Sequence, residues 1–139
     1  MRLAYGRFVH LGRKTVLPTW HRLRTGTEFS RAFRSGVRSG RRNVVLYTAE
    51  NTEKTTQIGF IVSKAVGNAI TRNSVKRRLR AFAASTTEQH PTGLLIAVRA
   101  LPAAANASTE QLREDYEQAL ASCIAKLQAR RDREEGSAS

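Results

Sequence analysis

The sequence predicts one compact domain that mixes helices with β-strands, and three observations predict it. At 139 residues with 40% hydrophobic side chains, the chain has material for one core and not for two. Asn43 to Ala49, Gln57 to Ser63 and Leu94 to Val98 are rich enough in β-branched, aromatic or aliphatic residues to be strands. Around them, in the stretches after Thr25, Gly67 and Ser108, the apolar spacing changes to that of a helix.

Residues 1–21 carry Arg2, Arg7, Arg13 and Lys14, no acid and no regular apolar period, and read as a basic, flexible extension. Gly6, Arg7, His10 and Gly12 interrupt the apolar run that a secretory signal needs, although an Arg-rich, acid-poor start is also the character of an organelle transit peptide. Thr25 and Glu28 have the spacing of a capping box. Phe29, Ala32 and Phe33 then fall on one helical face, and Gly36 is expected to supply a left-handed stop. A basic turn from Arg38 to Arg42 leads into the strand Asn43 to Ala49, and Asn51 to Thr56 reads as a polar hairpin turn. In the next strand Ile58, Phe60 and Val62 share a face, with Gly59 allowing close approach.

Residues 67–84 are helical. With Arg72 set at 0° and about 100° per residue, Val75, Leu79 and Phe82 form an apolar stripe between about 280° and 340°. Lys76, Arg80, Asn73 and Arg77 occupy an arc from about 40° to 140°, with Arg72 at its edge and Arg78 on the other flank. Leu94 to Val98 is wholly aliphatic, as suits a strand covered on both faces. Ser108 and Gln111 make a second capping box. Leu112, Tyr116, Ala119, Leu120, Cys123, Ile124 and Leu127 follow as the stripe of a long helix, with Glu110, Glu114 and Asp115 at its start and Lys126, Arg130 and Arg131 at its end, as the macrodipole favours. Residues 131–139 are expected to be a disordered tail.

The formal charge of +13 is concentrated. Residues 1–48 hold eleven basic side chains and one acid, and residues 64–80 hold six and none, whereas residues 110–135 mix both signs as an ordinary solvated surface does. Of the 24 basic residues 19 are Arg, whose planar fork binds phosphate and stacks on bases, so a nucleic acid is the expected partner. No aliphatic run approaches the roughly 20 residues of a membrane span, and the single cysteine, Cys123, allows no intrachain disulfide and fits a reducing cytoplasm.

The first hundred residues contain only four acids: Glu28, Glu50, Glu53 and Glu88. Glu28 belongs to a cap, and Glu50 and Glu53 fit a turn, so no carboxylate pair is left to hold a hard cation. There is no H-E-x-x-H, no C-x-x-C and no Walker loop. His10, His21 and His90 are scattered over expected loops, Cys123 falls on an apolar stripe, and Asn106-Ala107-Ser108 reads as a helix entry and not a glycosylation site. By its own chemistry the chain is a binder, with no catalytic residue and no metal site.

The run from Ile58 to Arg80 (IGFIVSKAVGNAITRNSVKRRLR) is similar to the signature of the protein component of bacterial ribonuclease P: a strand ending in S-K, then G-N-A-x-x-R-N-x-x-K-R-x-x-R on a helix. Arg22 to Tyr47 resembles that family's pattern of R-L, an acidic residue followed by F-x-x-V/A-F, G and V-L-Y. With LLIAVRALPA and the final helix, the resemblance covers residues 22–130. It implies an α+β fold, a two-layer αβββαβα sandwich with a four-stranded sheet and a left-handed βαβ crossover (ribosomal S5 domain 2-like). Since three strands are legible, the fourth is expected around Arg41 to Ser63.

The resemblance also implies the activity. Together with an RNA subunit that holds the catalytic centre and most of the Mg²⁺, such a protein assists endonucleolytic removal of the 5′ leader from precursor tRNA, with no membrane and no dedicated small-molecule ligand. It implies a leader-binding cleft lined by Phe29, Phe33, Tyr47, Lys76 and Arg80, and a contact with the RNA subunit through Lys64, Arg72, Asn73, Lys76 and Arg77. Helical period alone reads Phe29 and Phe33 as packing residues. Many relatives have R-N-R where this chain has Arg72-Asn73-Ser74, so one cationic contact is lost or moved to Arg78. Relatives commonly begin near Val16-Leu17-Pro18, and residues 1–15 are expected to be dispensable. Three rivals fit the composition less well. A structural RNA-binding protein would show similar charge, an RNA-recognition motif needs paired strand aromatics that are missing, and a stand-alone nuclease needs carboxylates.

Overall fold

The computed structural model describes residues 21, 22 and 26–138. The N-terminal extension up to residue 20 and the Thr25–Glu28 cap lie outside the described residues. The element order is α1 (Gly26–Ser35), β1 (Val37–Gly40), β2 (Val44–Thr55), β3 (Gln57–Ile61), α2 (Ala69–Gln89), β4 (Thr92–Ala100), a 3-10 turn (Pro102–Asn106) and α3 (Thr109–Ala138). This is the expected αβββαβα order of an α+β fold. The strands lie in the order β1-β2-β4-β3, with β1/β2 and β2/β4 antiparallel and β3/β4 parallel, the last pair joined through α2.

The fourth strand is β1, ahead of the segment where it was expected and inside the supposed basic turn. Val-Arg-Ser-Gly has little intrinsic strand character, and pairing with Thr48 to Val45 of β2 is what extends it. Residues 51–55 are likewise strand and not hairpin. β2 continues to Thr55 across a register break after Asn51, whose side-chain amide donates to Thr55 O (3.0 Å). The reversal is made at Thr56, which donates from its N–H to Pro91 O (3.0 Å) and accepts on Oγ1 from Leu94 N–H (3.2 Å). β2 and β3 are therefore not partners, because β4 lies between them. The buried His21 donates from Nδ1 to Thr56 O (2.5 Å), and Arg22 makes a parallel bridge to Ile58.

The main core lies on one face of the sheet. Val44, Leu46, Ile58, Ile96 and Val98 meet Val75, Leu79 and Phe82 of α2 and Leu112, Tyr116, Ala119 and Cys123 of α3. Each large aliphatic side chain buried there contributes roughly 1.5–3 kcal/mol. Tyr116 Oη and Thr86 Oγ1 share a hydrogen bond (2.7 Å), and burial pushes the Tyr116 phenol well above its ordinary pKa. Cys123 is a core residue as expected. Its thiol donates to Leu46 O (3.5 Å), and burial raises its pKa, which keeps it protonated and unreactive.

The opposite face carries a smaller cluster of Ala32, Ala49, Leu95 and Ala97, with Phe29 and Tyr47 packed against it. Three alanines at the contact let α1 lie close to the sheet. At its end Gly36 N–H donates to Ala32 O (3.2 Å), and a Cβ on Gly36 would stand 2.5 Å from both Ala32 O and Thr48 O. Close approach to β2 is what requires glycine there; among the described glycines only Gly67 and Gly93 have positive φ, so the expected left-handed stop is absent.

Helix ends follow local chemistry. Asn68 caps α2, its Oδ1 accepting from Thr71 N–H (2.9 Å), and Ser108 and Gln111 exchange the two hydrogen bonds of a capping box (2.9 and 3.0 Å). α3 does not stop near residue 130. It continues to Ala138, so residues 131–138 are helical where a disordered tail was expected. Asp132 to Glu135 contain no breaker, Gln128 donates to Asp132 (3.1 Å) along the surface, and Arg131 pairs with Glu50 of β2. Among the described residues no helix is long and apolar enough to cross a membrane.

Candidate nucleic-acid interface

Arg78 fixes the orientation of α2. Its Nε donates to Ser74 O (3.4 Å) and its Nη1 to Ala107 O (3.1 Å), which ties that flank of the helix to the chain entering α3. Val75, Leu79 and Phe82 point into the core, so the remaining flank lies away from α3, beyond β3 at the edge of the sheet. That free flank carries the cationic ridge. Asn73, Arg77 and Arg80 are exposed, and Arg72 and Lys76 are half-buried. Arg72 Nε donates to Gly67 O (3.2 Å), which holds the guanidinium at the start of the helix, and the exposed Lys64 lies in the turn just before it.

Nothing described neutralises this ridge. The ion pairs among the described residues are Arg113–Glu110 and Arg131–Glu50, both elsewhere, and the first turn of α2 holds no acid. The positive end of the helix dipole adds to the potential near Lys64 and Arg72. Arg78, by contrast, lies on the other flank of α2, with its Nε and Nη1 donating to backbone carbonyls.

The aromatic residues form a second surface. The Phe29 and Phe33 centroids are 6.4 Å apart with planes tilted by 32°, and Phe33 meets Tyr47 edge-on at 4.7 Å and 87°. Phe33 is 37% exposed, while Phe29 and Tyr47 are half-buried, so the rings anchor α1 and still present part of their surface. The structure thus brings Phe29, Phe33 and Tyr47 together as expected. It does not put Lys76 and Arg80 among them: α2 covers the opposite face, and these two cations stand across the β3 edge from the rings.

Arg99 was missed by sequence reasoning. Its Cζ lies 5.9 Å from the Phe33 centroid. The signal was present: strand alternation puts Arg99 on the same face as Leu95 and Ala97, the face that α1 covers.

Residues 17–124 match the family model described as Ribonuclease P. The chain is 58% identical over 119 residues to the ribonuclease P protein component of Pseudarthrobacter chlorophenolicus, covering 85% of this chain and 88% of the relative. It is 51% identical over 109 residues to that of Kocuria rhizophila, covering 78% and 96%. Among solved structures, the Staphylococcus aureus RNase P protein superposes with a TM-score of 0.66 at 32% identity, covering 76% of this chain and 95% of that one.

Proposed function

The chain belongs to the ribonuclease P protein family, and on that premise we propose how its two surfaces divide the work of the ribonucleoprotein that processes tRNA 5′ ends. The RNA subunit lies along the ridge of Lys64, Arg72, Asn73, Lys76 and Arg77. The single-stranded 5′ leader of precursor tRNA crosses the aromatic face, stacking on Phe33 and Tyr47 with Phe29 behind them. Lys76 and Arg80 stand at the β3 edge, where a strand leaving the rings meets RNA held on the ridge. The reading is supported above all by the pairing of an unneutralised cationic helix flank with a half-open ring cluster on the other side of the same edge.

Each surface suits its target physically. A polyanion on the ridge releases counterions from its phosphates, which makes affinity steep in salt and independent of sequence. Stacking on rings contributes roughly 1–3 kcal/mol per base for any base, which suits leaders of varied sequence. Mg²⁺ belongs to the same proposal. As a hard cation it takes oxygen ligands, which RNA phosphates supply, so we assign it to the RNA subunit. Cytoplasmic residence follows from the same partners.

The test is cleavage of precursor tRNA by the cognate RNA subunit at low Mg²⁺. Adding this chain is expected to raise 5′ processing; a merely structural RNA binder would bind RNA and leave the rate unchanged.

A further inference from the structure

Two guanidinium groups flank one apolar position beside the rings. Arg38 lies on β1 directly opposite Tyr47, and Arg99 lies on β4 directly opposite Val45. By strand alternation Arg38, Gly40, Val45, Tyr47 and Arg99 share the face that α1 covers only in part. Gly40 is the β1 partner of Val45, and both Arg38 Nη2 and Val45 Cγ2 stand 3.7 Å from where a Cβ of residue 40 would be. The missing side chain gives the Arg38 guanidinium a place beside Val45 on the β1 side. Arg99 rises from the β4 side, against Phe33. Both arginines are exposed, and among the described residues no carboxylate pairs with either.

We propose that Arg38 and Arg99 form a two-guanidinium phosphate site for the backbone of the strand whose bases stack on Phe33 and Tyr47. This rests on the leader reading above and deepens it. Stacking tolerates any base, but it fixes neither the register nor the direction of a strand. Two planar forks, each able to bind two oxygens of a phosphate at once, set the path of the backbone and its register over the rings. With Arg38 on the edge strand and Arg99 two strands away, the held backbone runs across β1, β2 and β4.

The test uses holoenzyme reconstituted from the RNA subunit and the full chain, bound to precursor tRNA and to mature tRNA over a salt series. Arg38→Ala is expected to weaken precursor binding about three-fold to five-fold, as for an exposed ionic contact, and to leave mature tRNA unchanged. It should reduce the precursor salt slope by about 0.7, the value for one phosphate of a single strand, and Arg38→Lys should restore that slope. No loss, or an equal loss with mature tRNA, overturns the site. Phe33→Ala run in parallel separates the two failures. If Phe33→Ala discriminates precursor from mature tRNA and Arg38→Ala does not, only the phosphate site falls; if neither does, the leader reading falls with it.

Discussion

The two faces of the sheet are built from opposite materials. One is floored with Leu46, Ile58, Ile96 and Val98 and sealed by two helices; the other has Ala49 and Ala97 under a single ten-residue helix and leaves its rings partly open. The difference teaches where stability and function are kept apart. Large aliphatics that interlock with α2 and α3 hold the fold, and small residues that let α1 settle closely leave Tyr47 and Phe33 at its margin with surface to spare. A helix can therefore contribute to both: α2 gives one stripe to the core and the opposite flank to the cations.

Substitutions on the sealed face should break the contrast most violently. Leu79 is fully buried, and Leu79→Ala is expected to cost about 2–5 kcal/mol in urea denaturation. A cost well under 1 kcal/mol would mean that this face is not the stabilising one.

The triple replacement of Arg72, Lys76 and Arg77 by Ala should sharpen the contrast from the other side. Thermal stability is expected to stay near wild type, while the slope of log affinity for the RNA subunit against log salt flattens by about two units. An unchanged slope would remove the ridge from the interface.

The smallest effect is expected at His21. Burial holds its imidazole below the ordinary pKa of 6.5, against the opposing hydrogen bond to Thr56 O. As pH falls the unfolded chain takes up this proton first, so stability is complete above pH 6.5 and declines as pH drops through 6.5 towards the folded value. His21→Gln should flatten that decline in a pH series of urea midpoints, and an identical decline in the variant would assign it to other groups.

Much of this was legible in the sequence. The stripe of Val75, Leu79 and Phe82, the Ser108–Gln111 cap and the core position of Cys123 depend on neighbours three or four residues away, and local period shows them. β1 was not legible, because Val37 to Gly40 become a strand only through β2. The Thr56 reversal depends on Pro91 and Leu94, far along the chain. Sidedness was the deepest omission. Period tells which flank of α2 is apolar but not which face of the sheet it covers, so Lys76 and Arg80 were expected to line one cleft with Phe29, Phe33 and Tyr47, whereas α2 packs on the opposite face of the sheet from those rings.

The central claim is that the open face reads the leader while the ridge holds the RNA subunit. Holoenzyme affinity for precursor and for mature tRNA, measured with Phe33→Ala, tests it most directly. The account predicts roughly ten-fold weaker binding of the precursor, within the 1–3 kcal/mol of one stacked base, with mature tRNA unaffected. Equal weakening of both would show that Phe33 merely packs α1 against the sheet.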